Sequence, residues 1–231
     1  MAAPEISVVI PVYNESGNIQ PLVEEIHLAL AHLSYETVIV DDASTDGTAV
    51  ELIELVRQHN DVRVETHHDN LGQSAAIRTG VKAARAPIIA ILDGDGQNDP
   101  ADIVALYTEL NTHDDVTMVV GERRQRRDHW IRLLSSRIAN SVRAYLLGDG
   151  VRDTGCGLKV FYRADYLELP AFDHMHRFLP ALIQRKGGAI HSVPVNHRPR
   201  LHGASKYGIN NRLWVGIVDL LGVMWLKQRR M

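Results

Sequence analysis

Short apolar runs alternate along this chain with longer segments whose apolar positions recur every three or four residues. Ile6–Val12 is continuously apolar and rich in β-branched residues, which suits a strand buried on both faces. From Gly17 to about Leu33, the residues Ile19, Leu22, Val23, Ile26, Leu30 and Leu33 fall on one helical face. Thr37–Val40 reads as a second strand ending in Asp41-Asp42. Ser44-Thr45-Asp46 then reads as the cap of a helix running to about His59. Val62–Thr66 predicts a third strand, Gly72 to Arg85 a helix of small residues, and Pro87–Leu92 a fourth strand. Asp99-Pro100 opens the next helix, with proline in its first turn, and Val116–Val120 predicts a fifth strand.

Strands that alternate with helices predict an α/β fold with a mostly parallel, Rossmann-like sheet flanked by helices. Asn14-Glu15, Asp41-Asp42 and the stretch from Asp93 to Gln97 all fall at carboxyl ends of strands. That rim is where open α/β sheets bind ligands.

After Val120 the pattern changes. Arg123, Arg124, Arg126, Arg127, Arg132, Arg137 and Arg143 crowd one stretch beside Trp130, Leu133, Leu134, Ile138, Tyr145 and Leu146. The arginines fit a solvated helix face. The apolar stripe fits core or, flanked by that charge, a bilayer interface. Further on, LKVFY reads as a strand, His174–Lys186 as a helix and Ile190–Val195 as a strand. A loop from Pro199 to Tyr207 leads to the apolar segment Leu213–Leu226. At fourteen residues that segment makes a helix about 21 Å long at about 1.5 Å per residue, short of a hydrocarbon core of about 30 Å. The division predicted is a catalytic domain over 1–210 and a C-terminal apolar helix over 211–231 that touches a membrane interface or a second copy.

Composition narrows the classes. One cysteine, Cys156, excludes an internal disulfide framework and reads as a small packed residue. Lys+Arg 25 against Asp+Glu 28 leaves a net charge of -3, so bulk charge gives no reason to expect a nucleic-acid partner. MAAPEISVVIPVYNE has no basic leader before its apolar run. Together with the short C-terminal segment, this predicts a cytoplasmic protein, peripheral on the cytoplasmic face of a membrane and without a spanning helix. His67-His68 and His174–His176 lack a metal-ligand pattern and read as surface or structural.

The clearest chemical signal is DGDGQNDP, Asp93 to Pro100, directly after an apolar strand. Two carboxylates one residue apart can reach a single cation, and Gln97 adds a neutral oxygen. All are hard donors suited to Mg²⁺ or Mn²⁺. Asp-Gly pairs also make ordinary turns, and the motif alone leaves both readings open. Asp41-Asp42 could bind a base or ribose hydroxyl, or cap a helix; Ser44 or Thr45 could cap it instead. The chain has no glycine-rich phosphate loop, so a nucleotide diphosphate would be held by a metal and arginines.

PVYNE, DDASTDGT, NLGQSAAIRTG, DGDGQNDP and the late RLHGASK together resemble the inverting family 2 glycosyltransferases of GT-A fold, over roughly residues 5–210. The late element is similar to the polyprenyl-phosphate branch typified by dolichol-phosphate mannosyltransferase. The resemblance implies that Pro11, Tyr13, Glu15 and Gln73 line a nucleotide-sugar pocket and that Asp42 contacts base or ribose. Asp93 would hold ribose or sugar hydroxyls and support the metal, which Asp95 and Gln97 would bind. Arg123 and Arg137 would sit near the diphosphate and the acceptor phosphate, and Arg200, Ser205 and Lys206 on an acceptor loop. DGDGQ carries glycines where the family more often has DADLQ, and the chain stops after one apolar segment where many relatives have two or more spanning helices.

The function so implied is metal-dependent, inverting transfer of one sugar, mannose or glucose by family precedent, from a nucleotide-diphosphate sugar to a polyprenyl phosphate. A homo-oligomer is also compatible. A lipid monophosphate has a second pKa of about 6, so it needs no general base. A saccharide or lipid hydroxyl acceptor would need one, and Asp153 is the candidate by position. A non-catalytic accessory that binds nucleotide sugar is the third reading.

Overall fold

The computed structural model describes residues 3–123, 143, 146–151, 153–200 and 209–229. Five strands open the chain, each of the first four followed by a helix. They are β1 (Ile6–Val12), α1 (Ile19–Ala29), β2 (Tyr35–Asp41), α2 (Thr48–Gln58), β3 (Val62–Thr66), α3 (Gln73–Ala83), β4 (Ile88–Ile91), α4 (Asp102–Thr112) and β5 (Val116–Arg123). Then come β6 (Lys159–Tyr162), α5 (Arg163–Leu167), a 3₁₀ turn (Met175–Arg177), α6 (Leu179–Arg185), β7 (Ala189–Val195) and α7 (Ile209–Gln228).

The seven strands form one sheet in the order β3-β2-β1-β4-β6-β5-β7. β1 pairs in parallel with β2 and β4, β2 with β3, and β5 with β7. β6 runs antiparallel to both of its neighbours, β4 and β5. Strand alternation divides the core. Ile6, Val8, Ile10 and Val12 of β1 face the layer of α1, α2 and α4. Val9, with Val38, Ile89 and Ile91, faces the layer of α3, α5, α6 and α7. The small residues of α3 let it lie close on the sheet: a methyl group on Gly80 would come within 2.4 Å of Val9 Cγ1.

Several local readings are corrected. Ser44 does not cap α2. Its hydroxyl accepts the Asn14 amide at 2.9 Å, while Asp46 Oδ1 accepts the Thr48 amide at 2.9 Å at the start of the helix. The single helix expected over His174–Lys186 is broken, because His174 takes a left-handed backbone (φ 62) and α6 starts afresh with Pro180 in its first turn. The arginine run is not wholly a solvated face. Arg143 is buried, paired with Asp149, and its Nη2 donates to the Val151 carbonyl at 2.7 Å.

The C-terminal helix is longer than expected. Its 20 residues extend about 30 Å at about 1.5 Å per residue, so it is polar content, including Asp219, that distinguishes it from a spanning helix. Among the described residues no helix is long and apolar enough to cross a membrane. One face of α7 docks through Val223, Leu220 and Met224, and Arg185 Nε donates to the Leu226 carbonyl at 2.8 Å. Ile217, Val218, Leu221 and Trp225 remain exposed on the other side.

Candidate active site

A cavity of about 850 Å³ opens at the carboxyl ends of β1, β2 and β4. Its walls include Pro11, Tyr13, Glu15, Asp42, Gln73, Asp93, Asp95, Gln97, Arg123 and Arg200. Ten of the residues singled out from sequence therefore meet at one site. Arg137, Ser205 and Lys206 lie outside the described residues, as do Trp130, Leu133, Leu134, Ile138 and Tyr145.

The rim loops brace one another. The Thr45 amide donates to Asn14 Oδ1 at 2.7 Å, and the Glu15 amide donates to Thr48 Oγ1 at 2.9 Å. Asp41 Oδ1 accepts the Ser44 amide at 3.0 Å. Asp42 is buried and holds the loop that enters α3. Its Oδ1 accepts the Leu71 amide at 2.9 Å and its Oδ2 the Gly72 amide at 2.7 Å. His67 Nδ1 lies 2.7 Å from the same Oδ1. The two aspartates are thus not structurally redundant. A carboxylate offers about four lone-pair sites, so these three contacts use most of the capacity of Asp42, which also borders the cavity. His67 is a partly buried anchor, its Nε2 also 2.9 Å from Thr79 Oγ1.

Asp93 and Asp95 lie on the turn after β4. Asp93 Oδ1 accepts Gln73 Nε2 at 2.9 Å. Burial, and then the negative charge of Asp95, push the Asp93 carboxyl up to about 6, against the pull of Lys159 and Arg123. Asp95 Oδ2 accepts Arg200 Nη2 at 2.6 Å, and its Oδ1 accepts the Gln97 amide at 3.1 Å. The turn is clipped to the segment after β7. Asn98 and His197 form an antiparallel bridge, the Arg198 amide donates to the Gln97 carbonyl at 2.9 Å, and Arg198 Nη2 is 2.6 Å from Asp99 Oδ1. This clip delivers Arg200 to Asp95.

Opposite, Arg123 grips Asp153 with two parallel bonds, Nε to Oδ2 at 2.7 Å and Nη2 to Oδ1 at 2.8 Å. Such a fork-to-fork pair is among the strongest charge-assisted contacts. Protonating Asp153 would weaken this pair, which counts against it as a general base.

Sequence reasoning missed Lys159, His176 and Arg177, which also line the cavity. Lys159 is buried at the start of β6, and its Nζ donates to the Cys156 carbonyl. Burial lowers its pKa, while Cys156 and Asp93 oppose that fall. The signal was a lysine inside the apolar run LKVFY. His176 Nδ1 lies 2.7 Å from Ser74 Oγ, and burial holds the ring well below its usual pKa, hence neutral. Cys156 is buried as expected, and burial pushes its thiol up.

The described walls thus set four acids (Glu15, Asp42, Asp93, Asp95) against four bases (Arg123, Lys159, Arg177, Arg200). Asp93 and Asp95 crowd negative charge into one corner, and Arg200 shows that the corner accepts a cation. Two carboxylates beside the Gln97 amide are hard oxygen donors that fit a divalent ion of the Mg²⁺ or Mn²⁺ type.

Residues 7–169 match the family described as Glycosyl transferase family 2. Over 227 residues the chain is 37% identical to a dodecaprenyl-phosphate galacturonate synthase of Rhizobium johnstonii, covering 96% of this chain and 67% of that protein. It is 34% identical over 211 residues to an undecaprenyl-phosphate 4-deoxy-4-formamido-L-arabinose transferase of Edwardsiella ictaluri, covering 88% and 63% respectively. The chain thus spans about two thirds of the length of these curated relatives. Its fold is similar to glucosyl-3-phosphoglycerate synthase of Mycobacterium tuberculosis, solved with Mn²⁺, UDP-glucose and phosphoglyceric acid. The TM-score is 0.74 at 19% identity, covering 97% of this chain and 79% of the other.

Proposed function

This chain belongs to glycosyl transferase family 2, and on that premise we propose that it moves one sugar from a nucleotide-diphosphate donor to a polyprenyl phosphate, with inversion. The observation that carries this reading is the meeting, in one cavity, of the Asp93–Asp95–Gln97 turn with Arg123 and Arg200. The names of the two relatives, both polyprenyl-phosphate enzymes, support the acceptor class.

Each wall has a task in such a transfer. Pro11, Tyr13, Glu15 and Gln73 border the part of the cavity suited to the nucleotide, and Asp42 keeps the loop beside it in place. Asp93, fixed by Gln73, would orient ribose or sugar hydroxyls. A divalent ion held by Asp95 and Gln97 would supply positive charge against the departing diphosphate. Arg123 and Arg200 add guanidinium groups suited to phosphate oxygens, and Lys159 lines the same cavity.

In the reaction an acceptor phosphate oxygen forms a bond to the anomeric carbon as the bond from that carbon to the diphosphate breaks. The electron pair leaves with the nucleoside diphosphate. The acceptor phosphate is largely ionised at neutral pH, since its second pKa is about 6, and no protein group has to take a proton. The Arg123–Asp153 pair fits this acceptor better than a hydroxyl, because protonating Asp153 would weaken the pair.

Incubation with labelled nucleotide sugars, Mg²⁺ or Mn²⁺ and a polyprenyl phosphate is expected to carry label into the lipid phase, with none transferred to the free polyprenol. Equal transfer to the free alcohol would sink the phosphate reading. The relatives are named for galacturonate and formamido-arabinose rather than mannose or glucose, so all four sugars belong in the donor panel.

The exposed side of α7 supports a peripheral place on a membrane, which we assign to the cytoplasmic face. Ile217, Val218, Leu221 and Trp225 share one face, and Arg229 lies over the Trp225 ring at 5.3 Å. A cation beside an apolar stripe suits anionic headgroups. Burying a leucine side chain gains about 1.5–3 kcal/mol, so Leu221→Glu is expected to weaken binding to phosphatidylglycerol vesicles by at least about tenfold in sedimentation. A pelleted fraction equal to that of the unaltered chain would remove α7 from the membrane contact.

A further inference from the structure

The far end of the sheet carries a cluster that the transfer reaction does not use. His27 lies in the last turn of α1, His59 is the residue that ends α2, and Asp61 precedes β3. They gather at the amino ends of the parallel strands, away from the cavity by on the order of 20 Å, the length of β1 at about 3.3 Å per residue.

The donor atoms of these three residues all lie within 4.8 Å of one another. His27 Nε2 is 3.2 Å from His59 Nδ1 and 3.4 Å from Asp61 Oδ1. Around a tetrahedral Zn²⁺ with bonds of about 2.0–2.1 Å, neighbouring ligand atoms stand about 3.3 Å apart. Both separations match that edge. One nitrogen facing two partners can give its single hydrogen to only one of them, whereas a cation between the three satisfies all.

Two further contacts fit the same arrangement. His27 Nδ1 lies 2.8 Å from the Tyr35 hydroxyl. Accepting the Nδ1 hydrogen would turn the Nε2 lone pair toward His59 and Asp61, as outer partners of metal-bound histidines commonly do. Asp61 Oδ2 is shut from solvent and lacks a hydrogen-bond partner among the described residues, a costly state for a carboxylate oxygen that a cation relieves.

We propose that His27, His59 and Asp61 form a second metal site, for Zn²⁺ or a similar imidazole-binding divalent ion, with Tyr35 as a positioning residue. Its ligands differ in kind from the all-oxygen set of the cavity. Imidazole suits zinc and cobalt, whereas carboxylate and carbonyl oxygens suit magnesium and manganese. The ion ties the last turn of α1 to the junction of α2 and β3, and it stabilises the folded chain by mass action. A second grouping, Glu109, His113 and His191, is more open, and its 2.7 Å contact from His191 Nδ1 to Glu109 Oε1 is that of an ordinary ion pair.

The test uses the full chain carrying Asp95→Asn, to silence the cavity, stripped with a chelator and titrated with Co²⁺ and then Zn²⁺. One equivalent is expected, with the visible absorption of tetrahedral cobalt, its displacement by zinc, and a raised melting point. His59→Ala should weaken binding by at least about 100-fold and Tyr35→Phe by about tenfold, the range for loss of an outer partner. Should His59→Ala fail to fold, Asp61→Asn removes the carboxylate charge with little change of shape. No bound equivalent, or binding unchanged in these variants, overturns the site; an ion held at Glu109, His113 and His191 would give the latter result.

Discussion

Replacing Asp95 by asparagine is expected to lower turnover by on the order of 10³-fold, the upper range for removing one preorganised charge-stabilising group. Asparagine keeps the size of the side chain and one oxygen. It removes the charge that accepts Arg200 at 2.6 Å and that would hold a divalent ion. The rest of the turn stays anchored, since the Asn98–His197 bridge and the Arg198–Asp99 pair do not involve Asp95. The fold should therefore persist while Mn²⁺ binding at the cavity and transfer are lost together. Steady-state kinetics beside calorimetric Mn²⁺ titration would check this. A variant that keeps turnover within about fivefold, about 1 kcal/mol in barrier, would remove Asp95 from the reaction.

Gly157→Ala should cost nearly as much, through position rather than charge. A methyl group at Gly157 would sit 2.0 Å from Asp93 Oδ2 and 2.3 Å from Asp93 Cγ. Asp93 has to swing away, breaking its 2.9 Å bond from Gln73. A displacement of about 1 Å in a positioning group can cost about 10²-fold in rate. The overlap also costs about 1–3 kcal/mol in stability, which lowers the melting temperature by about 2–4 °C per kcal/mol in a domain of this size. The measurements are kcat/KM and the thermal midpoint. Activity within about threefold of the unaltered chain, a barrier change of less than about 1 kcal/mol, would mean that Asp93 can relocate without consequence.

The parallel part of the fold was legible because its strands are short runs rich in β-branched residues, most of them separated by helices with clear apolar stripes. Ile6–Val12 and Val62–Thr66 have the same bounds in the sequence pattern and in the sheet. The direction of β6 was not legible. A buried strand looks the same read either way, and only its pairing with Ile88–Ile91 and Met118–Val120 makes it antiparallel. The carboxylates of the rim were visible because each follows an apolar run. Their internal duties were not, since the partners of Asp42 lie on a loop near residue 70. Lys159 escaped notice for a related reason: a lysine in an apolar run looks misplaced until Asp93 and the Cys156 carbonyl are seen around it. His27, His59 and Asp61 are likewise unremarkable in one dimension, because they meet only where two helices and a strand converge.

The reversed strand has a consequence for how the two sides of the pocket are held. Because β6 runs backwards, it is its beginning that reaches the rim, and the stretch Asp153–Lys159 leads into a strand laced to neighbours on both edges. That side of the pocket is a fixed jamb. The segment carrying Arg198 and Arg200 instead follows β7, which borders only one strand at the margin of the sheet. Backbone held from one edge yields more readily than backbone held from two. What fixes the Arg200 side is therefore the clip to the Asp95 turn, through the Asn98–His197 bridge and the Arg198–Asp99 pair, rather than a second neighbouring strand.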